Sequence, residues 1–157
     1  MERIRRSGAS MMQWVAGAGA RYGAGPFWGG EGSPGSSPRA SADLDLDHLS
    51  RQTFGDPELE DELLRLFDEL AAQIVARLAA PFEAGEADRR ADVAHAIKGS
   101  ALAIGAMATA DIAGAYETAL RGGDPGAEQY RNRLAQTIDA ARRAVASRRM
   151  ALRDEAF

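Results

Sequence analysis

Three residues within five positions, His95, Lys98 and Gly99, could do chemistry together. A neutral imidazole nitrogen is a competent nucleophile near pH 7. Lysine is a compact charge on a flexible stem, suited to following a mobile phosphoryl group, whereas arginine prefers fixed, bidentate geometry. Lys98 is the only lysine in the chain, against eighteen arginines. The sequence uses arginine almost everywhere it needs a base, yet lysine stands beside the histidine. A glycine inside a helix costs about 1 kcal/mol relative to alanine. Close approach of another molecule to His95 is one justification for Gly99.

The element that must carry these residues is a helix. Ala94, Ile97, Ala101 and Ile104 recur at intervals of three and four and form one apolar stripe. His95, Lys98, Gly99 and Leu102 fall on a second face, with Lys98 and Gly99 one turn from His95. Gly85 and Gly105 flank the segment, so His95 sits near mid-helix.

His95-x-Ile97-Lys98-Gly99-Ser100-Ala101-x-x-Ile104-Gly105 resembles the signature of histidine-containing phosphotransfer (HPt) domains, and the resemblance spans Leu44 to Val145. It implies that His95 accepts a phosphoryl group through Nε2. It implies that Lys98 screens the phosphoryl oxygens, while Gly99 and Leu102 belong to the docking face. By the same resemblance, donor and acceptor are aspartates on receiver domains of response regulators or hybrid histidine kinases. Those partners supply the Mg²⁺, and the chain needs no cofactor of its own. Glu117 is the candidate for a polar residue on the next helix that holds the imidazole, with Arg121 one turn on as a second cation. A solvated helix face is the plainer role for Glu117. The chain has no glycine-rich nucleotide loop followed by lysine, so a phosphoryl carrier is expected rather than a kinase.

The other elements follow from periodicity and punctuation. Leu44, Leu46, Leu49 and Phe54 predict one short helix ending at Gly55. His48 lies on it without a carboxylate–histidine–lysine constellation, and is expected to be structural or solvent-facing. Asp56-Pro57 is a helix start. Leu59, Leu63, Leu66, Phe67, Leu70, Ile74 and Leu78 repeat from there until Pro81 stops the helix. Glu58, Glu60, Asp61 and Glu62 suit its N-terminal dipole and read as a solvated face. After the His95 helix, Ile112, Ala113, Tyr116 and Leu120 mark another, stopping at Gly122-Gly123. Asp124-Pro125 repeats the start signal, and Tyr130, Leu134, Ile138, Ala141 and Val145 mark the last helix. The expected fold is all-α: an antiparallel four-helix bundle over residues 43–147, with a short additional N-terminal helix. Residues 148–157 are expected to fray.

Residues 1–42 differ in texture. Eight glycines between Gly17 and Gly35, with Pro26, Pro34 and Pro38, predict a disordered tail, or translated sequence upstream of the true start. Arg3, Arg5 and Arg6 before a weakly apolar run hint at a signal peptide, but Gln13 and the glycines argue against it. A short docking motif at Met11 to Val15 is a third reading. The tail carries five arginines against two glutamates, net +3, which leaves −7 on the rest of the chain. That acidity argues against nucleic acid as a partner. No cysteine and only two histidines argue against a thiolate or histidine-rich metal site. No apolar stretch approaches the length of a membrane span. A cytoplasmic monomer is expected. The alternatives are the dimerisation helices of a sensor kinase, which usually place an acid where Ala96 stands, and a helical adaptor without phosphotransfer.

Overall fold

A computed structural model describes residues 44–157. The expectations for residues 1–42, a disordered tail above all, lie outside the described residues. Among the described residues five helices follow one another: α1 (Leu46–Thr53), α2 (Pro57–Ala79), α3 (Ala87–Ile104), α4 (Met107–Arg121) and α5 (Ala127–Glu155). Among the described residues there is no strand. Helices α2 to α5 close a ring, each touching the next and α5 returning to α2. Of these helices, α1 touches α2 and α3. The fold is the expected all-α bundle with a short helix before it.

Local sequence accounts for most boundaries. Asp45 caps α1, its carboxylate accepting from the His48 amide at 2.9 Å. Asp56 caps α2 by accepting from the amides of Glu58 and Leu59, with Pro57 in the first turn. Pro81 lies just beyond the extended C-cap residue of α2, Ala80. Gly105 ends α3 in the left-handed region at φ 80°, where a side chain is strained. It also abuts α1: a Cβ there would lie 2.7 Å from the Asp45 carbonyl oxygen. The Asp45 amide donates to the Gly105 carbonyl at 2.9 Å. His48 Nε2 donates to the Leu102 carbonyl at 2.8 Å. His48 is thus structural, adding a donor to a carbonyl in the last turn of α3 that otherwise accepts only the long bond from the Gly105 amide at 3.4 Å.

The core is built largely from the predicted stripes, but on α2 the buried face takes in Leu64 and Ala71, outside the predicted stripe, and leaves Leu59 39% exposed. Leu64, Phe67 and Ile74 of α2 meet Ala94, Ile97 and Ala101 of α3, Ala113 and Tyr116 of α4, and Leu134 and Ile138 of α5. The alanines of α3 and α4 let those two helices lie close, which sets the spacing across the site.

Three expectations need correction, and the end of α1 adds a detail. Phe54 sits in the left-handed region at φ 55° and is 92% exposed. Its αL conformation ends α1, and the apolar anchor of that helix is Leu49, fully buried. Asp124 does not cap the last helix. It accepts from the Gly126 amide at 2.7 Å in a turn that precedes α5, so the Asp-Pro pair makes a turn here instead.

The acidic cluster on α2 is not uniformly solvated, and residues 148–157 do not fray as a unit. Both corrections have one cause. Helix α5 runs on to Glu155, and Arg148 donates to Glu60 at 2.5 Å while Arg149 donates to Asp61 at 2.7 Å. Glu60 is only 5% exposed. Arg142 meets Asp68 at 2.7 Å two turns earlier, and Arg131 donates to the Leu78 carbonyl. This ladder fixes the antiparallel register of α2 and α5.

Candidate functional site

Helices α3 and α4 run antiparallel, joined by the tight turn at Gly105-Ala106, and make the most extensive helix pair in the bundle. Their register aligns three pairs of residues on one face. Glu117 stands opposite His95, Arg121 opposite Asp92, and Gly114 opposite Lys98.

His95 projects outward, its side chain 70% exposed. Its Nδ1 lies 3.1 and 3.2 Å from the two oxygens of Glu117. An ionised carboxylate only accepts, so in the neutral ring Nδ1 is the nitrogen that carries the proton and Nε2 keeps its lone pair. No hydrogen bond of Nε2 is found among the described residues. Glu117 is 16% exposed, well screened compared with the ring it holds.

Glu117 is itself held. Arg121 Nε donates to it at 3.3 Å, one turn along α4. Arg121 Nη2 donates to Asp92 at 3.0 Å, back on α3 one turn before His95. The hydrogen bonds to Asp92 first and Glu117 second hold the guanidinium pKa above its ordinary value. The four side chains form a chain that crosses from α3 to α4 and returns: His95, Glu117, Arg121, Asp92.

Lys98 is half-buried, and no ion pair or hydrogen bond of its ammonium is found among the described residues. Its stem lies over Gly114, with Cε and Nζ each 3.6 Å from where a Cβ would stand. Gly99 is half-exposed. Leu102 is 43% exposed, and its carbonyl is occupied by His48.

The structure therefore places His95, Lys98, Gly99 and Leu102 on one helix and brings Glu117 and Arg121 to the histidine. Two neighbours are not evident from the motif. Asp92 needed the α3–α4 register, because an acid three residues before a histidine is common on any helix. Gly114 carried the same signal as Gly99, a glycine inside a helix, and could have been found that way. Among the described residues no group of three or more His, Cys, Asp or Glu is placed to hold a metal ion. None of their helices is long and apolar enough to cross a membrane.

No curated protein and no solved structure matches the chain. One family comparison does: the model of the Hpt domain matches residues 62–144. That span holds α3, α4 and every residue of the site, and it covers more than half of the sequence; the chain belongs to the Hpt domain family.

Proposed function

We propose that this chain carries a phosphoryl group on His95 Nε2 between aspartates of receiver domains in a multistep two-component relay. The observation that carries this reading is the pairing of Nδ1 with Glu117, because it commits the exposed nitrogen to nucleophilic attack.

The step balances as a displacement. The Nε2 lone pair forms a bond to the phosphorus of a receiver aspartyl phosphate. The bond from phosphorus to the aspartate oxygen breaks, and the aspartate leaves as a carboxylate with the electron pair. The proton on Nδ1 stays, so the phosphorylated ring is an imidazolium. Glu117 faces that new positive charge, and Lys98 answers the negative charge on the phosphoryl oxygens. Return to a second receiver runs the same step backwards. Phosphoryl transfer of this kind asks for positioning and charge rather than a nucleotide site.

On this reading the Mg²⁺ belongs to the receiver. The receiver lies over His95, Gly99 and Leu102, where an apolar side chain and an absent one flank the nucleophile. The chain acts as a carrier, not as an independent kinase.

The test is label transfer from a phosphorylated receiver. The label is expected to be labile to acid and stable to alkali, absent from His95→Gln and retained by His48→Gln. Label on His95→Gln would overturn the assignment. Receiver binding without any transfer would favour the adaptor reading instead.

A further inference from the structure

On the basis of the phosphotransfer reading above, we propose that Gly114 is a positioning residue: its missing side chain forms a notch on α4 that seats Lys98 beside His95. Gly114 lies inside α4, where glycine is a poor helix former. Its backbone does not require glycine, since it is absent from the positive-φ positions. Nor does another helix press on it. The three atoms nearest a Cβ there are Cε, Nζ and Cδ of one side chain, Lys98, at 3.6, 3.6 and 3.7 Å. The lysine stem packs over the face that Gly114 leaves bare, with room for a Cβ and no more.

The consequence lies in how Lys98 is held. A lysine with no ion pair keeps most of its rotamer freedom unless its stem is packed. Lys98 has no carboxylate partner among the described residues, so its ammonium is not neutralised before a phosphoryl group arrives. Packing on Gly114 supplies order without charge. The alignment of Lys98 with Gly114, one turn along from His95 with Glu117, puts the seat of the cation and the anchor of the ring on one helix, α4. The helix after the nucleophile thus orients both partners of the reaction.

The distances separate two substitutions. Alanine at 114 would meet Lys98 at ordinary van der Waals distance and leave it seated. Isoleucine adds two carbons about 1.5 Å beyond Cβ, in the volume the stem occupies. Both are better helix formers than glycine, so neither threatens folding.

The experiment uses the full chain with ¹³C-labelled lysine, which reports one side chain because the sequence has one lysine. Contacts between the Lys98 ε-protons and residue 114 are read by nuclear Overhauser effects, and transfer from a phosphorylated receiver is timed. The wild type is expected to show the contact. Gly114→Ala is expected to keep the contact. Gly114→Ile is expected to lose the contact to its α-proton and to slow transfer by the same factor as Lys98→Ala. The double variant is expected to be no slower than either single one. Absence of the contact in the wild type, wild-type transfer by Gly114→Ile, or additive slowing in the double variant overturns the proposal. Label on His95→Gln would instead overturn the phosphotransfer reading, and the contact would still decide the seat.

Discussion

Both carboxylate oxygens of Glu117 lie within 3.2 Å of Nδ1 of His95, across the α3–α4 interface. If His95 carries the phosphoryl group, as proposed, that pairing gives one side chain two separable jobs: holding the ring and balancing the charge the ring acquires. Glu117→Ala removes both, and is expected to slow transfer while the fold persists. Glu117→Gln keeps an acceptor for the Nδ1 proton but loses the negative charge. It is expected to leave phosphorylation detectable and to shorten the lifetime of phosphohistidine, or to shift the equilibrium toward the receiver aspartate. Equal lifetimes in wild type and Glu117→Gln would show that the charge does not matter.

Arg121 bonds two carboxylates through two different nitrogens, and a lysine cannot span them in that way. Arg121→Lys is therefore expected to resemble Arg121→Ala in transfer rate. Asp92→Ala is expected to give a smaller defect than Glu117→Ala, since it acts one link further away. Asp92 and Arg121 are both largely exposed, so stability should change by no more than about 0.5 kcal/mol in either variant. Thermal melts beside transfer rates check this; a large loss of stability would make the link structural instead.

The helices and the exposed mid-helix position of His95 were legible because their signals are local. Asp56-Pro57, Pro81 and Gly105 act within a turn of themselves, and the stripe of Ala94, Ile97, Ala101 and Ile104 declares its own buried face. Even Glu117 and Arg121 were reachable, but only through resemblance to a family. What could not be read was set by partners far along the chain. Glu60 and Asp61 look solvated until α5 brings Arg148 and Arg149 to them across 88 residues. The same pairing explains why the end of α5 is helical. Phe54 shares the helical spacing of Leu46 and Leu49, yet its αL backbone ends the helix and leaves the ring exposed. Asp124-Pro125 shows a local signal with two outcomes, a cap or a turn, which only the next residues decide.

The ladder between α2 and α5 predicts that the chain end stabilises the bundle. Arg148→Ala leaves the nearly buried Glu60 carboxylate without its cation, an expected cost of about 2–4 kcal/mol. Removal of residues 148–157 should cost at least as much, since it also releases Asp61 and exposes the apolar contact of Leu152. Chemical denaturation of the two variants measures this. A truncation as stable as the full chain would mean that the end of α5 contributes nothing.

The same ladder gives stability an acid dependence. The hydrogen bond from Arg149 holds the Asp61 carboxyl below its ordinary 3.8, and Arg65 lowers Glu62 in the same manner. A carboxyl depressed on folding stabilises the folded state above its unfolded pKa, and this contribution fades as pH falls through the folded value. The thermal midpoint is expected to be steady from neutrality to roughly pH 5 and to drop below roughly pH 4. Asp61→Asn should start lower and lose less on acidification, because both carboxyls are partly exposed and the rest of the slope remains. An unchanged acid slope in that variant would place the sensitivity elsewhere in the bundle.

Gly99 and Gly105, six residues apart in one motif, are predicted to respond oppositely to the same substitution. Gly99 has helical backbone and is half-exposed, so alanine there should stabilise the fold by up to about 1 kcal/mol. Gly105 is left-handed at φ 80°, which costs a residue with a side chain about 1–2 kcal/mol. Its Cβ would also press on the Asp45 carbonyl oxygen at 2.7 Å, backbone that α1 cannot easily move. Gly105→Ala should therefore destabilise by about 2 kcal/mol or more and loosen α1 from α3. Gly99→Gln separates docking from folding: glutamine is a good helix former, but its side chain would stand beside His95 where the receiver must come. Melts of the three variants, with receiver titrations of the two at Gly99, decide the matter. A stable Gly99→Gln that still binds and accepts phosphoryl at the wild-type rate would remove Gly99 from the docking face. A destabilised Gly99→Ala would assign that glycine to packing.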